Sequence, residues 1–222
     1  MEKLSHRLQK ALTLLEKHQG EKVWQGSSNP LDCLMLTLLS QNTNDRLRDR
    51  AYQQLRDRFP SWEQVAAAPA EQIEAAIRVA GLSAQKSRRM KHILHWVHEQ
   101  FGELSLHSLN DMTNQAALQL LQSQKGIGVK TAAVVLMASL GRDLCPVDTH
   151  VHRIAQRLAW VPDGVSAERT FVALRPHIPK GKGHSLHLNL LQFGRTICAA
   201  RKPLCANCFL WEECFWEGKE QR

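Results

Sequence analysis

The sequence predicts an all-α protein. Apolar residues recur at three- and four-residue spacing through nearly every segment, and no segment shows the period-two alternation of a half-buried strand. Glycines and prolines fall between these segments, at helix-length intervals. Leu4, Leu8, Ala11, Leu12 and Leu15 mark an amphipathic helix over 4–18. Gly26-Ser27-Ser28-Asn29-Pro30 reads as a loop, with Pro30 in the first turn of the next helix, where its missing N–H costs nothing. That helix, Leu31 to Ser40, is apolar nearly all round and is expected to be buried. Helices follow at 45–57, 61–67, 70–79, 84–101 and 113–122, broken at Phe59-Pro60, Gly81 and Gly102. Lys130 to Leu140 forms another, with Gly141 as its C-terminal cap, and 149–158, 166–175 and 184–197 complete the set.

At 222 residues and 43% hydrophobic content, the chain can build one large or two small cores. No apolar run is long enough to span a bilayer. Met1 to Arg7 carries charge with no apolar stretch behind it, so it does not read as a signal peptide. The expected location is therefore cytoplasmic, associated with the nucleoid, where disulfides are disfavoured. A net charge of +8 favours a polyanionic partner, because basic surface displaces counterions from phosphates.

Four of the six cysteines, Cys198, Cys205, Cys208 and Cys214, lie within 17 residues in the pattern C-x6-C-x2-C-x5-C. Thiolates gathered this tightly hold a metal or an iron–sulfur cluster. Zinc sites commonly show two C-x2-C knuckles and only one is present, whereas iron–sulfur ligation tolerates uneven spacing. Arg201 and Lys202 lie between the first two cysteines; ligation at both ends would point them outward, toward phosphate or simply toward solvent.

In Lys125-Gly126-Ile127-Gly128-Val129-Lys130, two glycines bracket one apolar residue between helices. Ile127 can plug the angle between them, and glycines let backbone N–H groups approach a phosphate at a helix N-terminus. This is the form of a helix-hairpin-helix DNA-binding motif, and also of an ordinary helical corner. Asp148 follows Lys130 by 18 residues, which on one continuous helix would be about 27 Å. Gly141 breaks that helix, and the extended return to Val147 can span roughly 23 Å, enough to bring Asp148 back to the Lys130 end. Alone, Asp148 reads as an N-cap and Lys130 as a phosphate-binding lysine. Together they suggest a nucleophilic amine, its ammonium form disfavoured near helix N-termini and Lys125, facing a carboxylate that moves a proton or steadies a cation.

The chain resembles the helix-hairpin-helix (HhH-GPD) DNA glycosylases, and within them the endonuclease III group. The matching pieces are Leu38-Leu39-Ser40-Gln41-Asn42-Thr43-Asn44-Asp45, Gly81-Leu82, Gly126 to Ala132, Val147-Asp148-Thr149-His150 and the four cysteines, in the family's order. The resemblance implies two α-helical lobes with DNA bound in the cleft between them. One lobe is a six-helix barrel, 23–142, containing the helix-hairpin-helix at about 113–140. The other joins 1–22 to 143–222 and carries a [4Fe-4S] cluster on the 198–214 loop. It implies a monomer that acts on double-stranded DNA with damaged bases or abasic sites, flips the nucleotide out, and involves no membrane. Lys130 would attack C1′ and expel an oxidised pyrimidine, its Schiff base would permit β-elimination 3′ to the lesion, and Asp148 would assist. Relatives that only remove bases keep the aspartate and lack the lysine. Gln41 aligns with the residue that fills the vacated space, and Leu82 with a neighbouring wedge; a loop glutamine and a core leucine are the plainer readings.

Lys125 stands where endonuclease III commonly has proline, and Gln41-Asn42-Thr43-Asn44-Asp45 departs from the usual Ala-Gln-Ala-Thr-Asp. Both bear on damage preference. His152 reads as a surface or core histidine. The alternatives are a mismatch-specific glycosylase of the same superfamily, whose members generally lack the lysine, and a non-enzymatic iron–sulfur DNA-binding protein.

Overall fold

The computed structural model describes residues 3–26 and 28–219; Met1, Glu2 and Ser27 of the expected Gly26–Pro30 loop lie outside them. The described residues form eleven α-helices and five short 3₁₀ turns, with no strand among them. The all-α class read from the periodicity is the class observed.

The chain forms two compact units, one of Gly26–Leu140 and the other of the residues up to Gln25 and from Gly141 onward. The divisions fall there rather than at 23 and 142. Gly141, at φ +63, lies so close to Trp24 that a Cβ would sit 3.0 Å from its indole ring, so these two residues pack within one unit. That unit begins with α1 (Leu4–Gln19), which buries Leu8, Ala11, Leu12 and Leu15 along a single stripe.

In Gly26–Leu140, α2 (Pro30–Ser40) starts on Asn29, whose side chain accepts from the backbone N–H of Leu31 and Asp32. It is buried at Leu31, Leu34, Met35, Leu38 and Leu39. α3 (Asp45–Arg58) is capped by Asn44 and buries only Ala51 and Leu55, so its charged face meets solvent. α4 (Trp62–Ala67) is capped by Ser61, and α5 (Ala70–Ile77) follows. The sequence expected one helix over 70–79; instead Arg78–Ala80 tightens into a 3₁₀ turn. Gly81 at φ 66 and Leu82 at φ 49 then reverse the chain, which an α-helix cannot do. α6 (Ser83–Phe101) buries Lys86, Met90, Ile93, Leu94 and Val97 at helical spacing and ends on the left-handed Gly102. A 3₁₀ turn at His107–Asp111, too short to leave a periodic signal, precedes α7 (Asn114–Gln122), capped by Thr113. α8 (Val129–Leu140) is buried through Thr131, Ala132, Ala133, Val135, Leu136 and Met137. It packs on α2 and α7, while α5 packs on α6 and α3, so the two most apolar helices form the centre of this unit.

In the other unit, α9 (Thr149–Arg157), α10 (Ala167–Leu174) and α11 (Gly183–Thr196) bury Val151, Ile154, Phe171, Leu186, Leu190 and Phe193. α11 packs on α9 and α1. After α11 the described residues form only 3₁₀ turns, at Cys205–Asn207 and Trp211–Glu213.

Candidate functional site

The turn between α7 and α8 is built around Gly126 and Ile127. Gly126 has φ +95, a conformation that side chains rarely adopt, and a Cβ there would lie 2.3 Å from the Arg89 Nε. Ile127 donates its N–H to the Gln124 carbonyl at 3.0 Å and is 3% exposed, so it fills the corner. Gly128 differs: it is exposed, and a Cβ there would meet nothing within 4 Å. Lys125 is exposed and Lys130, in the first turn of α8, is half-buried. Burial pushes the Cys33 thiol on α2 up, the Thr37 hydroxyl pulls it down, and Lys130 is close enough to lower it further.

Gln41 is not a solvated loop residue. It ends α2, accepts from the Arg89 guanidinium at 2.8 Å, and reaches the Gly126 carbonyl with its amide at 3.4 Å. Arg89 therefore joins α6, the Gln41 turn and the hairpin. Leu82 is not a core leucine either: it is 54% exposed and left-handed at φ 49, ψ 32. A large apolar residue that combines exposure with backbone strain is unusual in a turn with only a structural duty. Lys86, one turn into α6, is 3% exposed and donates to the Leu39 and Ala80 carbonyls and the Thr43 hydroxyl, each at 2.8 Å. Burial holds its ammonium below the usual lysine value.

Asp148 belongs to the other unit. It caps α9, and its Oδ1 accepts from the N–H groups of His150 at 2.9 Å and Val151 at 2.8 Å, which fixes the carboxylate's orientation. His152 bonds the buried Thr170 hydroxyl at 3.0 Å. Two arginines of α9 reach the cysteine segment. Arg153 donates to the Cys198 carbonyl at 2.7 Å and the Gly194 carbonyl at 3.0 Å. Arg157, 8% exposed, donates to the Cys198 Sγ at 3.1 Å and the Ala199 carbonyl at 2.9 Å, with its guanidinium 3.9 Å from the Trp216 ring centroid.

Cys198, Cys205, Cys208 and Cys214 line one pocket together with Arg157, Leu204, Trp211 and Trp216. Burial pushes the Cys208 thiol up to about 11, and raises the Cys214 thiol too. Among the described residues no three His, Cys, Asp or Glu side chains converge tightly enough to hold a single metal ion. The loop between the first two cysteines is closed by the Leu204 N–H on the Ile197 carbonyl at 2.9 Å. Arg201 and Lys202 at its tip are exposed, and Lys202 is left-handed at φ 51.

Residues 35–179 match the profile of the HhH-GPD superfamily base excision DNA repair protein. The chain belongs to the HhH-GPD superfamily. It is an endonuclease III-like member: 33% identical over 187 residues to Endonuclease III of Thermotoga maritima, covering 84% of this chain and 83% of that protein. It is also 36% identical over 178 residues to an Arabidopsis thaliana protein provisionally named a DNA glycosylase, and spans only 58% of that protein's length. Its fold matches a non-covalent Endonuclease III–DNA complex with a TM-score of 0.81 and 26% identity, over 97% of this chain and 96% of that one. A thermostable thymine-DNA glycosylase shares the fold at TM-score 0.77 and 20% identity, over 95% of this chain and 96% of that one.

Within the HhH-GPD frame, the Gly26–Leu140 unit carries Gln41, Leu82, Lys125 to Gly128 and Lys130, and ties Gln41 to the hairpin. Asp148, the four cysteines, Arg201 and Lys202 belong to the other unit. Sequence reasoning missed Lys86, Arg89, Arg153 and Arg157. Their one signal was position: Lys86 and Arg89 share a basic run on α6, and Arg153 and Arg157 lie four apart on α9.

Proposed function

We propose that this chain is a bifunctional DNA glycosylase and AP lyase that removes oxidised pyrimidines from duplex DNA. The observation that carries the lyase half is the position of Lys130, half-buried in the first turn of α8 directly after the hairpin. Its amine attacks C1′ of the extruded nucleotide, forming an N–C1′ bond while the glycosidic bond breaks and the base leaves with the bond's electrons. Opening of the sugar ring gives an iminium, which acidifies the C2′ hydrogen. Loss of that proton expels the 3′ phosphate by β-elimination, and water then releases the lysine. Asp148 serves proton transfer and stabilises the positive charge on the sugar, with its orientation set by the two backbone donors of α9.

The four cysteines hold a [4Fe-4S] cluster in this reading. The four thiols line one pocket, and their uneven spacing with a single C-x2-C pair suits iron–sulfur ligation better than a zinc site of two knuckles. The cluster's contribution is structural: it pins a segment whose described residues form no long helix. The partner is double-stranded DNA, bound by a monomer, and the cell compartment is that of the nucleoid.

Borohydride trapping on duplexes with an abasic site or an oxidised thymine tests this. The wild type forms a covalent complex and Lys130→Gln forms none. Asp148→Asn loses roughly 10²–10⁴-fold in base release, the range expected for a positioned acid or base. Full trapping by Lys130→Gln assigns the nucleophile elsewhere. Base release by the wild type with no trapping at all makes the chain a glycosylase alone, as the mismatch-specific reading requires.

A further inference from the structure

One buried charge has no part in that chemistry. Lys86 is 3% exposed, and all three of its N–H donors are used. The acceptors come from separate places: Leu39 in the last turn of α2, Thr43 in the turn that follows, and Ala80 at the end of the 3₁₀ turn before Leu82. Gln41 lies between the first two acceptors, and Leu82 two residues beyond the third. The Thr43 hydroxyl also bonds the Ala80 carbonyl, so the two turns are joined directly as well as through the ammonium.

A desolvated lysine is costly even when fully paired, and an apolar side chain would fill the same space without that cost. What the charge secures is the placement of two turns that hold non-glycine residues in the left-handed region, Asn42 at φ 53 and Leu82 at φ 49. Such conformations persist only where their surroundings over-determine them. We infer that Lys86 is a positioning residue for nucleotide extrusion: it clamps the Gln41 and Leu82 turns into one rigid wedge, so that both side chains enter the duplex in register. This rests on the glycosylase reading above. Lys86 touches neither substrate nor reacting atoms.

Lys86→Met keeps the length of the stem and removes every donor. Thr43→Val removes one acceptor and the direct link while leaving α6 intact, and stands in should Lys86→Met fail to fold. Three measurements separate the possibilities. Amide hydrogen exchange in the free protein should quicken in 41–44 and 80–83 together, by about tenfold or more. The fluorescence rise of 2-aminopurine opposite an abasic-site analogue in duplex DNA, which reports unstacking, should slow by about tenfold or more. Trapping on an abasic site in a single-stranded oligonucleotide, where nothing need be extruded, should stay within about threefold of wild type. Unchanged exchange in either turn overturns the inference. So does an equal loss on single-stranded and duplex DNA, since that marks Lys86 as a general fold element. A wild type that traps on neither substrate removes the lyase reading instead, and the exchange measurement still decides the clamp.

Discussion

Leu82 combines a strained backbone and an exposed apolar side chain in a single residue. Its left-handed backbone costs a non-glycine residue on the order of 1–3 kcal/mol, and with 54% of its surface exposed it recovers little of that by burial. Leu82→Gly should therefore leave the urea midpoint unchanged or raise stability by up to about 1 kcal/mol, because the relieved strain offsets the freer unfolded chain. Single-turnover release of an oxidised pyrimidine from duplex DNA should fall about tenfold or more, as the wedge is lost. A loss of stability would show that Leu82 is held by packing, and its role as a wedge would lose its main physical support. Residues of this kind were only partly legible. Gln41 and Leu82 could be singled out by resemblance alone, since a lone glutamine and leucine carry no chemistry in their spacing. Lys86 and Arg89 sit in the run Lys86-Ser87-Arg88-Arg89, which reads as a solvated basic face. Their partners lie up to 48 residues away in sequence, and no local pattern encodes that.

At the scale of the element, the hairpin's two glycines look alike in sequence and do different things. Gly126 has a conformational duty, with φ +95 and the Arg89 side chain against its α-carbon. Gly126→Ala should cost about 1–3 kcal/mol and displace Arg89 from Gln41, so a thermal melt detects it without any DNA. Gly128 has neither duty, and Gly128→Ala should fold within about 0.5 kcal/mol of wild type. If its missing side chain serves close approach of the backbone to a phosphate, duplex affinity should fall about tenfold all the same. Unchanged affinity would make Gly128 an ordinary corner residue. The helices themselves were legible to within a residue or two wherever an apolar stripe ran for several turns, as in α1, α2, α6 and α8. The 3₁₀ turns at Arg78–Ala80 and His107–Asp111 were not, because one turn has no period.

For the whole molecule, the net charge of +8 favours a polyanionic partner without saying where it would bind. The structure offers one basic tip whose shape is imposed by its surroundings. The loop from Cys198 to Cys205 is closed at its base by the Ile197 carbonyl and held from inside by Arg153 and Arg157 on the Cys198, Ala199 and Ala200 carbonyls. Arg201 and Lys202 make no part of that anchoring and are left exposed. Pointing two cations outward from a loop built this tightly is consistent with phosphate contact, and a solvated loop would not require it. The anchors and the tip can be separated by experiment. Purified wild type should contain iron and sulfide in equal amounts, and Arg201→Ala and Lys202→Ala should contain the same. Each variant should flatten the slope of log affinity against log salt by about 1, the counterion released at one phosphate. Stoichiometric zinc without sulfide would replace the cluster by a single ion. An unchanged slope in both variants would move the phosphate contacts off this loop, and the cysteines would then hold the segment together without presenting it to DNA.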